Sequence, residues 1–191
     1  MSLGAAHFEG IYSRDPDPWD FETSAYEQGK YERTLAALPA GRIASALDVG
    51  CSTGVLSSRL AEHCDELLAV DFSERALVQA RARLASLPGA RVERLDLPSE
   101  MPPGPFDLVV CSEVLWYWSE RDVLDGLRRI ETSLVPGGSL LVVGWSGRDP
   151  EAPMNGPEVS ALIDGSTSLR RELHEAANGA GYVIDRWAAR A

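Results

Sequence analysis

Four acidic residues, Asp48, Asp71, Asp96 and Glu113, each stand at or just beyond the end of an apolar run, and they carry the first chemical signal in this chain. The first lies in Ala46-Leu47-Asp48-Val49-Gly50-Cys51-Ser52-Thr53-Gly54, where Gly50 and Gly54 let the backbone pass close to a ligand with no Cβ in the way. The second closes the run ending at Val70-Asp71, and a carboxylate there suits the diol of a ribose. Together they describe a nucleotide pocket. The turn lacks the middle glycine of the G-x-G-x-x-G pattern that seats a pyrophosphate on a helix N-terminus. Asp48, just before it, would repel a phosphate and attract an ammonium group. S-adenosylmethionine carries an amino acid tail where NAD carries phosphates, so it fits these residues better. The pattern D-x-G-x-x-x-G alone also occurs in turns that bind nothing.

These groups need elements that bring them to one edge. From Ser45 the chain alternates strand and helix patterns, the signature of a parallel sheet with helices on both faces. Strands are expected at 45–49, 66–71, 91–95, 106–111 and 139–145, with helices at about 55–63, 74–87 and 121–134. Pro136-Gly137-Gly138 is expected to stop the last of these and turn the chain into the buried run Leu140-Leu141-Val142-Val143. Residues through Phe21 are expected to be irregular, because Pro16 and Pro18 each restrict their predecessors. A helix follows, opened by a capping box of Ser24 and Glu27 and stopped at Pro39 and Gly41. Beyond Trp145 the expectation is a loop over 146–157, a final helix near 169–178 and a strand near 182–188. The fold class is thus α/β: a single-domain, Rossmann-like, doubly wound and mostly parallel sheet of six to seven strands. Residues 1–44 form a cap segment and helix over the site, and 45–191 form the domain. Parallel strands place their C-terminal ends on one edge, and there Asp48, Asp71, Asp96 and Cys111 meet the ligand crevice.

Composition narrows the partners. A formal charge of -11 disfavours nucleic acid, whose binding draws on clustered Lys and Arg, and favours a small molecule, even a cationic one. Cys51, Cys64 and Cys111 form no C-x-x-C pair, and His7, His63 and His174 share no ligand spacing, so no metal site is indicated. No apolar run approaches a membrane span and no signal-peptide layout opens the chain, so a cytoplasmic protein without a membrane partner is expected.

As a set, Leu47 to Gly54, Val70-Asp71-Phe72-Ser73, Asp96-Leu97, Phe106-Asp107-Leu108-Val109-Val110-Cys111-Ser112-Glu113-Val114-Leu115 and Leu134-Val135-Pro136-Gly137-Gly138 resemble the class I S-adenosylmethionine-dependent methyltransferases. The resemblance implies that the turn from Gly50 to Gly54, with Gly50, Cys51 and Gly54 as cofactor-binding residues, passes behind the methionine tail. It also implies that Asp71 holds both ribose hydroxyls, that Phe72 packs on adenine, and that Asp96 and Leu97 meet the adenine edge. A narrower stretch, Asp17-Pro18-Trp19-Asp20-Phe21-Glu22-Thr23-Ser24-Ala25-Tyr26-Glu27-Gln28 with Lys30 to Leu35 and Glu113 to Tyr117, resembles the nodulation protein S methyltransferases. Those enzymes N-methylate the free amine of a deacetylated chitin oligosaccharide. In such enzymes the opening segment covers the cofactor, which makes Trp19, Tyr26 and Arg33 candidate pocket residues. Arg33 would pair with the cofactor carboxylate as a fork-like donor, or else is a solvated helix charge.

Methyl transfer is an in-line displacement, so the protein mainly aligns the nucleophile and excludes water. An acceptor that arrives as ammonium must lose a proton, and Glu113 and Tyr117 are the candidate catalytic groups for that step. Trp116-Tyr117-Trp118 suits an amine-bearing or carbohydrate acceptor as well as it suits core packing. The acceptor is expected to be a small molecule methylated at nitrogen or oxygen. The alternatives are an NAD-dependent oxidoreductase on a similar scaffold and a non-catalytic nucleoside-binding relative. Only one strand pattern follows the final helix, so the usual closing hairpin is expected to be reduced or cut short. An exposed strand edge would then allow a homodimer as well as a monomer.

Overall fold

The computed structural model describes residues 1–176 and 181–190. Seven strands, β1 (Ile43–Val49), β2 (Cys64–Asp71), β3 (Ala90–Arg94), β4 (Phe106–Ser112), β5 (Leu134–Trp145), β6 (Arg170–Ala176) and β7 (Tyr182–Ala188), form one sheet in the order β3-β2-β1-β4-β5-β7-β6. The first five run parallel, while β7 is antiparallel to both β5 and β6. Alternation along the strands divides the core into two layers, as a sheet covered on both faces requires. Ala46, Leu67, Ala69, Leu108 and Val110 pack with Val55, Leu60, Leu77 and Leu84 of helices α3 (Val55–Leu60) and α4 (Glu74–Leu84). Leu47, Val49, Val70, Val109 and Leu140 pack on the other face with Val123, Leu127 and Ile130 of α5 (Glu120–Ser133) and Val159 and Ile163 of α6 (Gly156–Ser166). β1 lies between β2 and β4, with Val49 level with Val70 on one side and Cys111 on the other. That is the point where strand order reverses, and it brings the ends of three strands to one crevice.

The structure corrects the reading at both ends. α1 (Ala5–Arg14) forms where irregular chain is expected, ending before Pro16 and packing Phe8 and Tyr12 against Ala76. The last helix begins at Gly156, with a complete capping box between Asn155 and Glu158, and the stretch expected as helix from Leu169 is the strand β6. Residues 177 and 178 of that stretch lie outside the described residues. Arg, Glu, Leu and Ala in Arg170-Arg171-Glu172-Leu173-His174-Glu175-Ala176 are good helix formers, but pairing with β7 overrides that preference. The closing hairpin is therefore present, neither reduced nor cut short. Pro136-Gly137-Gly138 falls inside β5, and α5 has already ended at Ser133. At α2 (Ala25–Ala36) only half of the expected capping box forms: Ser24 accepts from the Glu27 backbone N–H, while the Glu27 carboxylate turns to Lys30.

Candidate active site

The turn after β1 is tied across to β2, since the N–H groups of Gly50 and Cys51 both donate to the Val70 carbonyl at 2.8 and 3.0 Å. Gly50 has φ +75, and a Cβ there would lie 2.8 Å from Cγ2 of Val114, so backbone shape and space both demand glycine. The turn floors a cavity of about 390 Å³ at the sheet edge. Trp19, Asp48, Gly50, Cys51, Asp71, Phe72, Leu97, Glu113 and Tyr117 of the expected residues line it, as does Tyr26.

Four expected residues do not. Gly54 caps α3, and its Cα faces Ala80 and Leu84 of α4. Asp96 is exposed, one residue before the lining Leu97. Cys111 is fully buried in the core layer beneath α5 and α6, because alternation along β4 points its side chain away; Ser112 lines the cavity instead. Arg33 donates to Glu175 at 2.7 Å and lies over the Tyr182 ring, on the outer side of α2. The cavity's cation is Lys30, one turn earlier on the same helix.

Asp71 receives backbone N–H donors on both oxygens, Ser73 on Oδ1 at 2.8 Å and Ser52 on Oδ2 at 3.0 Å, which fixes the carboxylate plane at the cavity wall. Burial raises its affinity for a proton, and those N–H groups oppose the rise. Asp48 is buried, accepts from Ser57 Oγ at 2.6 Å, and is pushed up to about 6 by burial. Glu113, with φ +57, accepts from Lys30 Nζ at 3.0 Å on one oxygen, and from Trp116 Nε1 and the Trp145 backbone N–H, both at 2.9 Å, on the other. Lys30 Nζ also donates to Glu27 at 2.9 Å. Burial pulls the Lys30 ammonium down, but Glu113 and Glu27 beside it more than reverse this, so it holds its proton more tightly than a free lysine. Burial raises the Tyr117 phenol well above its usual value, which leaves it a proton donor at neutral pH.

The roof comes from the N-terminal segment. Tyr12 of α1 is hydrogen-bonded to Ser52 of the turn, Phe8 meets Phe72 and Tyr117 with ring centroids 5.5 and 4.8 Å away, and the Leu3 N–H donates to the Tyr117 carbonyl. Sequence reasoning missed Tyr12, Glu27 and Lys30 as site residues, while Ser52 lies in the turn it had singled out. For Glu27 and Lys30 the signal was legible as an acid and a base at i, i+3 on the face that also carries Tyr31.

A fold of this order, with a glycine turn and a strand-end carboxylate around one cavity, defines a methyltransferase of the Rossmann-like class, and the comparisons agree. Residues 47–140 match the family described as "Methyltransferase domain". A crystal structure of a Pseudomonas syringae protein assigned as a methyltransferase is 36% identical, with TM-score 0.75, covering 86% of this chain and 99% of that one. The chain belongs to the class I S-adenosylmethionine-dependent methyltransferases. Among curated relatives, nodulation protein S of Bradyrhizobium diazoefficiens is 34% identical over 129 residues, 65% of this chain and 61% of that protein. The match thus spans about three fifths of that relative's length. The N-methyltransferase NodS from Bradyrhizobium japonicum WM9, solved with S-adenosyl-l-homocysteine, shares the fold at TM-score 0.82 and 22% identity, covering 96% of this chain and 97% of that one.

Proposed function

We propose that this chain moves a methyl group from S-adenosylmethionine to the nitrogen of a small amine, with amino sugars in the substrate class. One observation carries the reading. Among the described residues the cavity is lined by the carboxylates of Glu27, Asp48, Asp71, Glu113 and Asp149 against the single ammonium of Lys30, so it suits cations and rejects a pyrophosphate. That balance disfavours NAD and favours a sulfonium cofactor with an amine acceptor.

The residues present fit the cofactor. Asp71, held by two N–H groups, has lone pairs left on both oxygens for a ribose diol, Phe72 and Leu97 supply apolar walls for a base, and Lys30 offers an ammonium to a carboxylate. Bound there, S-adenosylmethionine would supply an electrophilic sulfonium methyl to a nitrogen lone pair, the S–C electron pair remaining on sulfur. The roof of α1 and the aromatic side chains keep water away. Three donors hold the Glu113 carboxylate, so its role is to fix Lys30, Trp116 and Trp145 rather than to remove a proton. Tyr117 retains its proton, so its phenol oxygen can accept from the acceptor's N–H and leave the nitrogen lone pair free, and its ring face can meet the amine. Of the lining carboxylates Glu27 and Glu113 are engaged by Lys30, and an amine, unlike a hydroxyl, needs no base once it reaches its neutral form, which favours nitrogen as the acceptor.

Methyl transfer from labelled S-adenosylmethionine to a panel of amines, amino sugars and phenols tests this. Label on amines is expected; label confined to phenols would overturn the nitrogen assignment. Binding of S-adenosylhomocysteine without transfer to any of them would favour the non-catalytic relative.

A further inference from the structure

Among the described residues five carboxylates line the cavity, and the chain itself engages four of them. Glu27 and Glu113 share the Lys30 ammonium, Asp71 holds two backbone N–H groups, and Asp48 is buried against the Ser57 hydroxyl. Asp149 differs. It stands half-buried on the loop between β5 and α6, and among the described residues no cation pairs with it. Its neighbour Arg148 turns to Glu158 at 2.6 Å, so the loop's own cation is spent elsewhere. Oδ1 of Asp149 accepts from the Glu151 backbone N–H at 2.9 Å, which orients the carboxylate and leaves Oδ2 for a ligand.

The surroundings favour a cation. Trp116 and Tyr117 pack ring to ring with centroids 3.7 Å apart, and the Trp145 ring stands 5.9 Å from that of Trp116. The Trp145 indole lies directly on the backbone of Gly147, where no Cβ could fit, so this aromatic wall and the loop that carries Asp149 are packed together. Burial raises the Tyr117 phenol, and the charges of Glu113 and then Asp149 add to the rise, which places the Asp149 carboxylate within coulombic reach of that hydroxyl. A carboxylate beside aromatic faces recognises ammonium groups. The reacting nitrogen cannot be that ammonium, because it must present a lone pair to a sulfonium methyl, and two cations there would repel. The counter-charge therefore comes from another part of the acceptor.

We propose that Asp149 anchors a second, protonated nitrogen of the acceptor, so that the preferred substrates are compounds with two amino groups, one neutral at the methyl and one charged at the loop. This rests on the nitrogen-methylating reading above. It makes Asp149 a specificity-determining residue that meets the acceptor but no reacting atom.

Labelled methyl transfer to straight-chain diamines of two to six carbons, and to the amino alcohols of the same lengths, tests this in wild type, Asp149→Asn and Asp149→Glu. A charged hydrogen bond of the usual strength predicts that wild-type kcat/KM for the best diamine exceeds that for its amino alcohol by about tenfold or more. Asparagine can still accept from the Glu151 N–H but carries no charge, so Asp149→Asn should narrow that ratio to about threefold or less. Asp149→Glu restores the charge one methylene further out, and should keep a preference moved to a shorter diamine. The ratio is read within each protein, so a general loss of stability does not mimic the result. Equal use of diamines and amino alcohols by wild type, a preference retained in Asp149→Asn, or an equal loss in both variants would overturn the anchor and leave nitrogen methylation standing. Transfer by wild type to none of these amines would overturn both.

Discussion

Asp48→Asn should change how stability depends on pH. The Asp48 carboxyl is buried and lies at about 6 in the fold against an ordinary 3.8. A carboxyl raised on folding contributes stability that is full below its unfolded value and is lost as pH climbs through its folded one. Two pK units correspond to about 3 kcal/mol in total, of which about 2 falls between pH 4 and pH 7. Asparagine can accept from Ser57 in place of the carboxylate but has no charge to develop in that window. Any cost of burying its amide hydrogens is the same at every pH and cancels, as do the other titrating groups that both proteins share. Thermal melts of the two proteins from pH 4 to pH 8 check this. The variant's melting temperature should gain about 4–8 °C on wild type across the range, given the usual conversion for a chain of this size. A difference that stays constant from pH 4 to pH 8 would refute the reasoning and show that Asp48 is not charged at the expense of the fold.

Two further outcomes follow from the site's geometry. Lys30→Met should weaken S-adenosylhomocysteine binding at least about tenfold in calorimetry, whereas Arg33→Ala should leave it within about twofold, since Arg33 pairs with Glu175 outside the cavity. Gly50→Ala should lower stability by about 2–4 kcal/mol in urea unfolding, because it combines positive-φ strain with a 2.8 Å clash on Val114; Val114→Ala in the same chain should recover part of that loss.

The parallel half of the fold was legible because its signals are local and redundant. β1, β2, β4 and β5 each hold a short apolar run, α4 and α5 have amphipathic spacing, and β1's end carries the turn whose glycines can be read in the string. The β6 hairpin was not legible, since its residues prefer helix in isolation and only the partner β7 makes them a strand. For the site, Asp48, Gly50, Asp71, Phe72 and Glu113 could be placed because they sit at strand ends, where topology dictates position. Arg33 and Lys30 could not be told apart. Both are cations on one helix, and only the helix's rotation against β4 decides that Lys30 faces Glu113 and Arg33 faces Glu175. Cys111 was misplaced by a single residue, enough in a strand to move a side chain from the crevice to the core.

The junction of β5 with α6 has a consequence for how this scaffold can change. A Cβ on Gly144 would lie 2.6 Å from the Gly156 Cα, and one on Gly156 would lie 2.2 Å from the Gly144 carbonyl oxygen, so the two backbones touch with no side chain between them. The segment from Trp145 to Asn155 leaves and returns through that contact as a loop with a closed neck, and it contributes Trp145 and Asp149 to the cavity. Trp145 pairs with β7 and Asn155 caps α6, so the residues that can change while the sheet and α6 remain in register are those between them, apart from the buried Ala152. An engineer seeking a new acceptor would recast this loop and leave its two glycines alone, since the turn and strand-end carboxylates proposed to meet the cofactor lie in other parts of the chain.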